Sequence, residues 1–118
     1  MIIIYLNPNQ SKKEYDKKLH KMFDRIEAYH FGDVTVVTDK NLQVVRDILN
    51  FYKPYQFLVH SVHEFDSSPT MVSELILYMV TKLDITFTSI DDELYFDQDN
   101  ILDIYPKVFE QFKIPKGN

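Results

Sequence analysis

The sequence contains no cysteine and only two glycines among its 118 residues. The missing cysteine excludes a disulfide framework, a thiolate zinc site and a cysteine nucleophile, and such usage is typical of a chain in the reducing cytoplasm. Two glycines are too few to build a glycine-rich phosphate loop. Arginine is also scarce, because Arg25 and Arg46 are the only two in the chain. This scarcity limits any site that must bind phosphate groups.

Long apolar runs are missing as well. No run approaches the roughly 20 residues that span a bilayer, and the N-terminus opens on a strand-like segment instead of a basic leader. We therefore expect a cytoplasmic protein without a membrane segment. The formal net charge of −5 disfavours general binding to nucleic acid.

Most of the basic charge lies in one short stretch. It is a candidate contact for DNA or for an acidic partner, formed by Lys12, Lys13, Lys17, Lys18, Lys21 and Arg25. Three acidic side chains interleave with these residues and weaken the field of the stretch, so a solvated helix face is the alternative interpretation.

Strands and helices alternate along the chain according to its hydrophobic periodicity. Strand-length apolar or β-branched runs occupy residues 1–6, 34–38, 56–62 and 85–90, and a short fifth strand is predicted at 94–96. Helices are predicted over 11–28, after Asn41 as a cap, over 69–82 and over 99–113, the last interrupted by Pro106. This order predicts a single three-layer α/β domain over residues 1–118. Its sheet is mainly parallel with four or five strands in the order 2-1-3-4, and helices cover both faces.

Polar segments follow each predicted strand, at the edge of the sheet where ligands of open α/β folds bind. These segments and the strand ends before them read YLNPN at residues 5–9, DK at 39–40, VHEFDSS at 62–68 and FTSIDDE at 87–93. Together they resemble the catalytic domain of small serine recombinases, the resolvases and DNA invertases. The first stands where that family has Y-x-R-V-S, and the second matches its Asp-Lys. The third stands where it has L-D-R-L-G-R-S, and the fourth resembles its fourth strand end. The resemblance implies a resolvase-like, flavodoxin-like fold and a family role in site-specific DNA recombination.

The residues that perform that family's chemistry are substituted here. The family uses a serine to attack a DNA phosphate and a cluster of arginines to stabilise the transferring phosphoryl group. Asn9 stands at the serine position and Asn7 at an arginine position. The Asp-Arg pair after the third strand becomes His63-Glu64, and a further arginine becomes Ser67. We therefore expect a catalytically inactive member of the family, in which Glu64 would repel a phosphate.

A rebuilt metal-dependent or small-ligand site at the same edge is the second hypothesis. Imidazole and carboxylate groups suit zinc, iron or manganese, and the candidates are His63, Glu64, Asp66, Asp91 and Asp92. Against it, His60 and His63 would point to opposite faces of an extended chain. A packed His60 and an exposed His63 are the expectation without a metal, and no cofactor is expected.

The last predicted helix carries more apolar surface than one sheet face requires. The surplus predicts an interface, so we expect a homo-oligomer that forms through residues 99–113. The contact residues would be Ile101, Leu102, Tyr105, Val108, Phe109 and Phe112. The leading hypothesis is accordingly a binding or oligomerisation module of a mobile-element or phage system. Its partners would be itself, another protein or, weakly, DNA.

Overall fold

The structure is a computed structural model that describes residues 1–27, 32–65 and 68–113. Its five strands are β1 (Ile2–Tyr5), β2 (Val34–Val37), β3 (Gln56–Val59), β4 (Thr86–Ser89) and β5 (Leu94–Phe96). Its four α-helices are α1 (Lys12–Glu27), α2 (Leu42–Tyr52), α3 (Pro69–Lys82) and α4 (Ile104–Lys113). Two 3₁₀ helices, Val62–Glu64 and Gln98–Asp103, complete the described elements. The tail 115–118 and the first two residues of the turn predicted at 30–33 lie outside the described residues.

The five strands form one sheet in the order β2-β1-β3-β4-β5. The first four strands in this order are parallel, and β5 pairs antiparallel with β4 at the edge. This confirms the predicted α/β class and strand order. β1 is central and fully buried, as its continuous apolar sequence predicts for a strand covered on both faces.

The helix caps follow local sequence signals. The Asn41 side chain accepts a hydrogen bond from the Gln43 N–H at the start of α2. The Ser68 side chain accepts one from the Met71 N–H in front of Pro69, and the Ser11 hydroxyl accepts one from Glu14 at the start of α1. Each cap satisfies a backbone donor that the first helical turn leaves without a partner.

Two element boundaries differ from the prediction. β3 ends at Val59 instead of continuing to residue 62, because the Ser61 side chain caps a 3₁₀ turn by accepting from the His63 N–H. The helix expected over 99–113 is a 3₁₀ helix followed by α4. The break follows from Asn100, whose backbone is non-helical. Pro106 lies in the first turn of α4, where its missing N–H removes no helical hydrogen bond.

The core has two parts, one on each face of the sheet. Helices α2, α3 and α4 pack on one face over a stack of buried aromatic rings that includes Phe57 and Phe87. Among the described helices, α1 alone packs on the other face, where Met22 and Ile26 contact the β1 side chains. Because one helix is too narrow for five strands, a cavity of about 710 Å³ remains beside Arg25 over β3–β5.

No described helix has the length and apolar character needed to cross a membrane.

Candidate functional site

The site lies where the chain order of the strands reverses. From β1 the chain crosses to β2 on one side and then to β3 on the other, so the carboxyl ends of β1 and β3 flank the topological switch point where ligands of open α/β sheets bind. Asn7 follows β1 here. Glu64 reaches the same place from the 3₁₀ turn that follows β3.

The Glu64 carboxylate fills this crevice. Only 3% of the side chain is exposed. Its Oε2 accepts hydrogen bonds from the backbone N–H of Asn7 at 2.9 Å and from Gln10 Nε2 at 3.2 Å. Its Oε1 accepts from Lys18 Nζ at 2.6 Å, in an ion pair whose lysine side chain is 25% exposed. The negative charge predicted for this position is therefore present, but it is paired and hydrogen-bonded inside the protein.

The same four residues bond to one another as a closed network. Asn7 Nδ2 donates to the Glu64 carbonyl at 2.9 Å, and Gln10 Nε2 donates to the Asn7 carbonyl at 2.8 Å. Gln10 Oε1 accepts from Lys18 Nζ at 2.8 Å. Sequence reasoning missed Gln10 altogether and assigned Lys18 to the outer surface of α1. Spacing could have indicated that Lys18 faces inward, since it lies three residues from the inward-facing Tyr15 and four from the buried Met22.

Asn9, which the sequence resemblance aligned with the nucleophilic serine, lies at the surface. Its backbone N–H donates to Asn7 Oδ1 at 2.7 Å, so the two asparagines form a turn that closes the end of β1. An amide side chain has no hydroxyl or thiol to attack phosphorus. Ser67, a substituted position that does carry a hydroxyl, lies outside the described residues.

The 3₁₀ turn that carries Glu64 is fixed from the neighbouring strand end. Asp92 Oδ2 accepts from the backbone N–H of Val62 at 2.8 Å and from the Ser89 hydroxyl at 2.8 Å. Asp92 thus ties the end of β4 to this turn.

His63 packs away from Glu64. Its Nε2 lies 3.0 Å from the Gln111 carbonyl, and its ring centroid lies 4.8 Å from that of Phe112. His63 therefore anchors α4 and is half-buried, not exposed as predicted. The argument from an extended chain at residues 60–63 was also wrong, because this segment turns into the 3₁₀ helix.

The metal hypothesis gains no geometric support from the described residues. Within residues 1–27, 32–65 and 68–113, no three histidine or carboxylate side chains are grouped to hold a metal ion. Glu64 and Asp92 are engaged in the contacts described above, and Asp91 is exposed. Asp66 lies outside the described residues.

His60 lies at the end of β3, half-buried between charged groups. Burial lowers its pKa below the ordinary value of 6.5. Asp91 opposes this shift by raising the pKa, whereas Lys18 lowers it. Glu64 raises the pKa and Lys21 lowers it, with smaller effects. The folded protein therefore disfavours the charged imidazolium at this position.

This shift predicts a pH dependence of stability. The folded pKa lies below the unfolded one, so below about pH 6.5 the unfolded chain binds more protons at His60 and stability falls as pH falls. His60→Gln is expected to make the decline of the thermal midpoint between pH 7.5 and 5.5 shallower. Scanning calorimetry across this pH range measures it, with His20→Gln on the surface of α1 as the control for losing a histidine. Equal slopes for wild type and His60→Gln would contradict the prediction.

Five of the six basic residues of the proposed contact surface lie exposed on α1. They are Lys12, Lys13, Lys17, Lys21 and Arg25. Lys18 does not belong to this exposed surface, because its ammonium group is bound to Glu64 and Gln10.

The apolar segment proposed as an interface is partly exposed. Leu102 is 92% exposed and Tyr105 is 37% exposed, whereas Ile101, Phe109 and Phe112 are half-buried. The prediction was wrong for Val108, because this residue is fully buried in the core and cannot contact another molecule.

Comparison with known proteins gives a match in structure alone. No protein-family model matches the sequence, and no curated protein matches it. Among solved structures, the chain is similar to the N-terminal catalytic domain of TP901-1 integrase, with a TM-score of 0.68 over 95% of both chains and 16% sequence identity. This likeness confirms the resolvase-like fold that the sequence motifs predicted.

Proposed function

We propose that the chain is a serine-recombinase-like domain that has lost catalysis and acts in the cytoplasm as a binding or oligomerisation module of a mobile-element or phage system. The family role would be site-specific recombination and DNA strand exchange. The observation that carries the proposal is the Lys18–Glu64 ion pair, which fills the crevice at the switch point.

The chemistry of the crevice supports the loss of catalysis. Phosphoryl transfer needs a nucleophile and positive groups aimed at the phosphoryl oxygens. Here Asn9 offers no nucleophile, and Glu64 occupies the space with a negative charge. The ammonium group of Lys18, which could stabilise a phosphate, is paired with Glu64. Removing one such donor typically costs roughly 100- to 1000-fold in rate, so losing all of these groups leaves no reaction.

The surface before and along α4 supports an oligomerisation role. Leu102 is almost fully exposed, and Tyr105 and Phe109 continue an apolar surface along the start of α4, with their rings 6.1 Å apart. Such contiguous apolar surface is typical of contacts between proteins. The proposed partner is a second copy of the chain.

Sedimentation velocity tests this role. We expect the wild type to sediment as a dimer at about 100 μM and Leu102→Asp as a monomer, because the substitution buries an unpaired charge at the contact. Phe51→Asp is the matched control, since Phe51 is 79% exposed on α2 and lies outside the proposed contact. A monomeric wild type, or equal effects of the two variants, would rule out this interface.

The exposed basic side chains of α1 are the proposed contact for an acidic partner or, weakly, for DNA. Lys13, Lys17 and Lys21 are exposed, but acidic neighbours such as Asp16 and Asp24 reduce their field. Any contact with DNA through this helix is therefore expected to weaken steeply with added salt.

A further inference from the structure

The donors around Glu64 form a site for a negatively charged group. The Asn7 backbone N–H, the Gln10 amide and the Lys18 ammonium group converge on one carboxylate that is almost completely buried. Two of these donors are neutral and one is positive, a set suited to binding an oxyanion. The site also lies at the switch point, where this class of fold binds its ligands.

Each donor is held in place by contacts other than those to Glu64. The Asn7 N–H follows Leu6, which extends β1 by one residue and donates its own N–H to the Val37 carbonyl at 3.1 Å. Gln10 Nε2 is held by the Asn7 carbonyl at 2.8 Å, and Lys18 Nζ by Gln10 Oε1 at 2.8 Å. The three donors would therefore remain close to their positions if the carboxylate were removed.

Glu64 is presented to these donors by a rigid turn. Ser61 caps the turn, Asp92 binds the Val62 N–H, and the next residue, Phe65, is buried with its ring stacked on Tyr5. A side chain delivered by a fixed segment binds without the entropic cost that a free ligand meets. An external anion at ordinary concentration cannot compete with a carboxylate placed in this way.

We propose that Glu64 is a tethered internal ligand that keeps a preformed oxyanion site closed. The Asn7, Gln10 and Lys18 cradle, once emptied, binds a tetrahedral oxyanion such as inorganic phosphate. This inference rests on the proposed function in one respect, namely that the crevice is not a working catalytic centre.

Titration with inorganic phosphate at constant ionic strength tests the closure. Glu64→Ala empties the cradle, so phosphate should raise its thermal midpoint and bind with a Kd on the order of 1 mM, at least about tenfold tighter than to wild type. Glu64→Gln is the matched control. It has the same net charge as Glu64→Ala, but its amide still fills the cradle, so it should resemble wild type. Isothermal calorimetry and phosphorus NMR linewidths report binding directly.

Lys18 supplies the decisive variant. Glu64→Ala/Lys18→Met should lose most of the phosphate affinity, whereas Glu64→Ala/Lys17→Met, which removes an exposed lysine one residue away, should keep it. Equal phosphate binding by Glu64→Ala and Glu64→Gln, or no binding by Glu64→Ala, would overturn the proposal.

Chemical rescue covers the case in which Glu64→Ala is unfolded. Formate and phosphate should then restore its far-UV circular dichroism, since both anions can replace the missing carboxylate, while chloride at equal ionic strength should not. Failure of both anions to refold the variant would count against a preformed site. The proposed function fails by a different result, the formation of a covalent DNA adduct by wild-type protein.

Discussion

Replacing Lys18 by methionine is expected to lower the free energy of unfolding by about 3 kcal/mol, because it leaves a buried carboxylate without its cation. Glu64 is 3% exposed and accepts its shortest hydrogen bond from Lys18. Methionine keeps most of the apolar length of the lysine side chain, so the loss reports mainly on charge. Urea denaturation followed by circular dichroism measures the difference.

The double variant Lys18→Met/Glu64→Gln is expected to recover most of that loss. No charge then remains in the crevice, and the glutamine carbonyl can still accept from the Asn7 N–H. Lys17→Met, at an exposed position on the same helix, should change stability by less than about 0.5 kcal/mol. A loss below about 1 kcal/mol for Lys18→Met would show that the ion pair contributes no more than an exposed surface pair does.

Phe65→Ala is expected to destabilise the protein by about 3–5 kcal/mol, because it removes a buried ring and leaves a cavity. The Phe65 ring is stacked 4.7 Å from Tyr5 and 6.1 Å from Phe57, so its loss also ends two aromatic contacts. Phe65 directly follows Glu64 in the chain. We therefore expect this variant to loosen the turn that closes the crevice as well as the core.

Two further variants isolate the effect of Phe65. Phe65→Leu should lose less stability than Phe65→Ala because it leaves a smaller cavity. Phe51→Ala, at a position 79% exposed, should remain within about 0.5 kcal/mol of wild type in urea denaturation. Equal losses for the variants of Phe65 and Phe51 would contradict the packing described for this region.

Under the proposed loss of catalysis, the closed crevice would explain how a recombinase-like fold persists without the reaction. A fold of this kind holds donors at the switch point whether or not they act on a ligand. An emptied site would leave the Asn7 N–H without its acceptor and the Lys18 ammonium group without its counter-charge, which is unfavourable in a half-buried place. Glu64 accepts from both donors at once, so its carboxylate stabilises this part of the domain.

The sequence by itself determined the order and type of the elements. The β-branched run in β2 and the caps at Asn41 and Ser68 are signals that act within a few residues, and the structure follows each of them. The alternation of strands and helices then fixed the sheet order, because right-handed crossovers leave few alternatives. The family motifs could be placed at the ends of strands for the same reason.

The local sequence pattern predicted the wrong structure where the chain turns after β3. Residues 60–62 have the composition of a strand, yet the Ser61 hydroxyl and the Asp92 carboxylate bind backbone N–H groups and turn the chain. The segment expected as one helix over 99–113 is likewise broken at Asn100. Propensity within a window cannot anticipate a partner that lies 30 residues away.

Only the tertiary structure decided the state of the site. Glu64 and Lys18 are 46 residues apart, and either alone suggests an exposed charged side chain. Their contact depends on how α1 crosses the sheet and where the turn after β3 places its last residue. Packing between distant elements sets both, so the sequence alone could not show that the Glu64 carboxylate is buried and bound in the crevice.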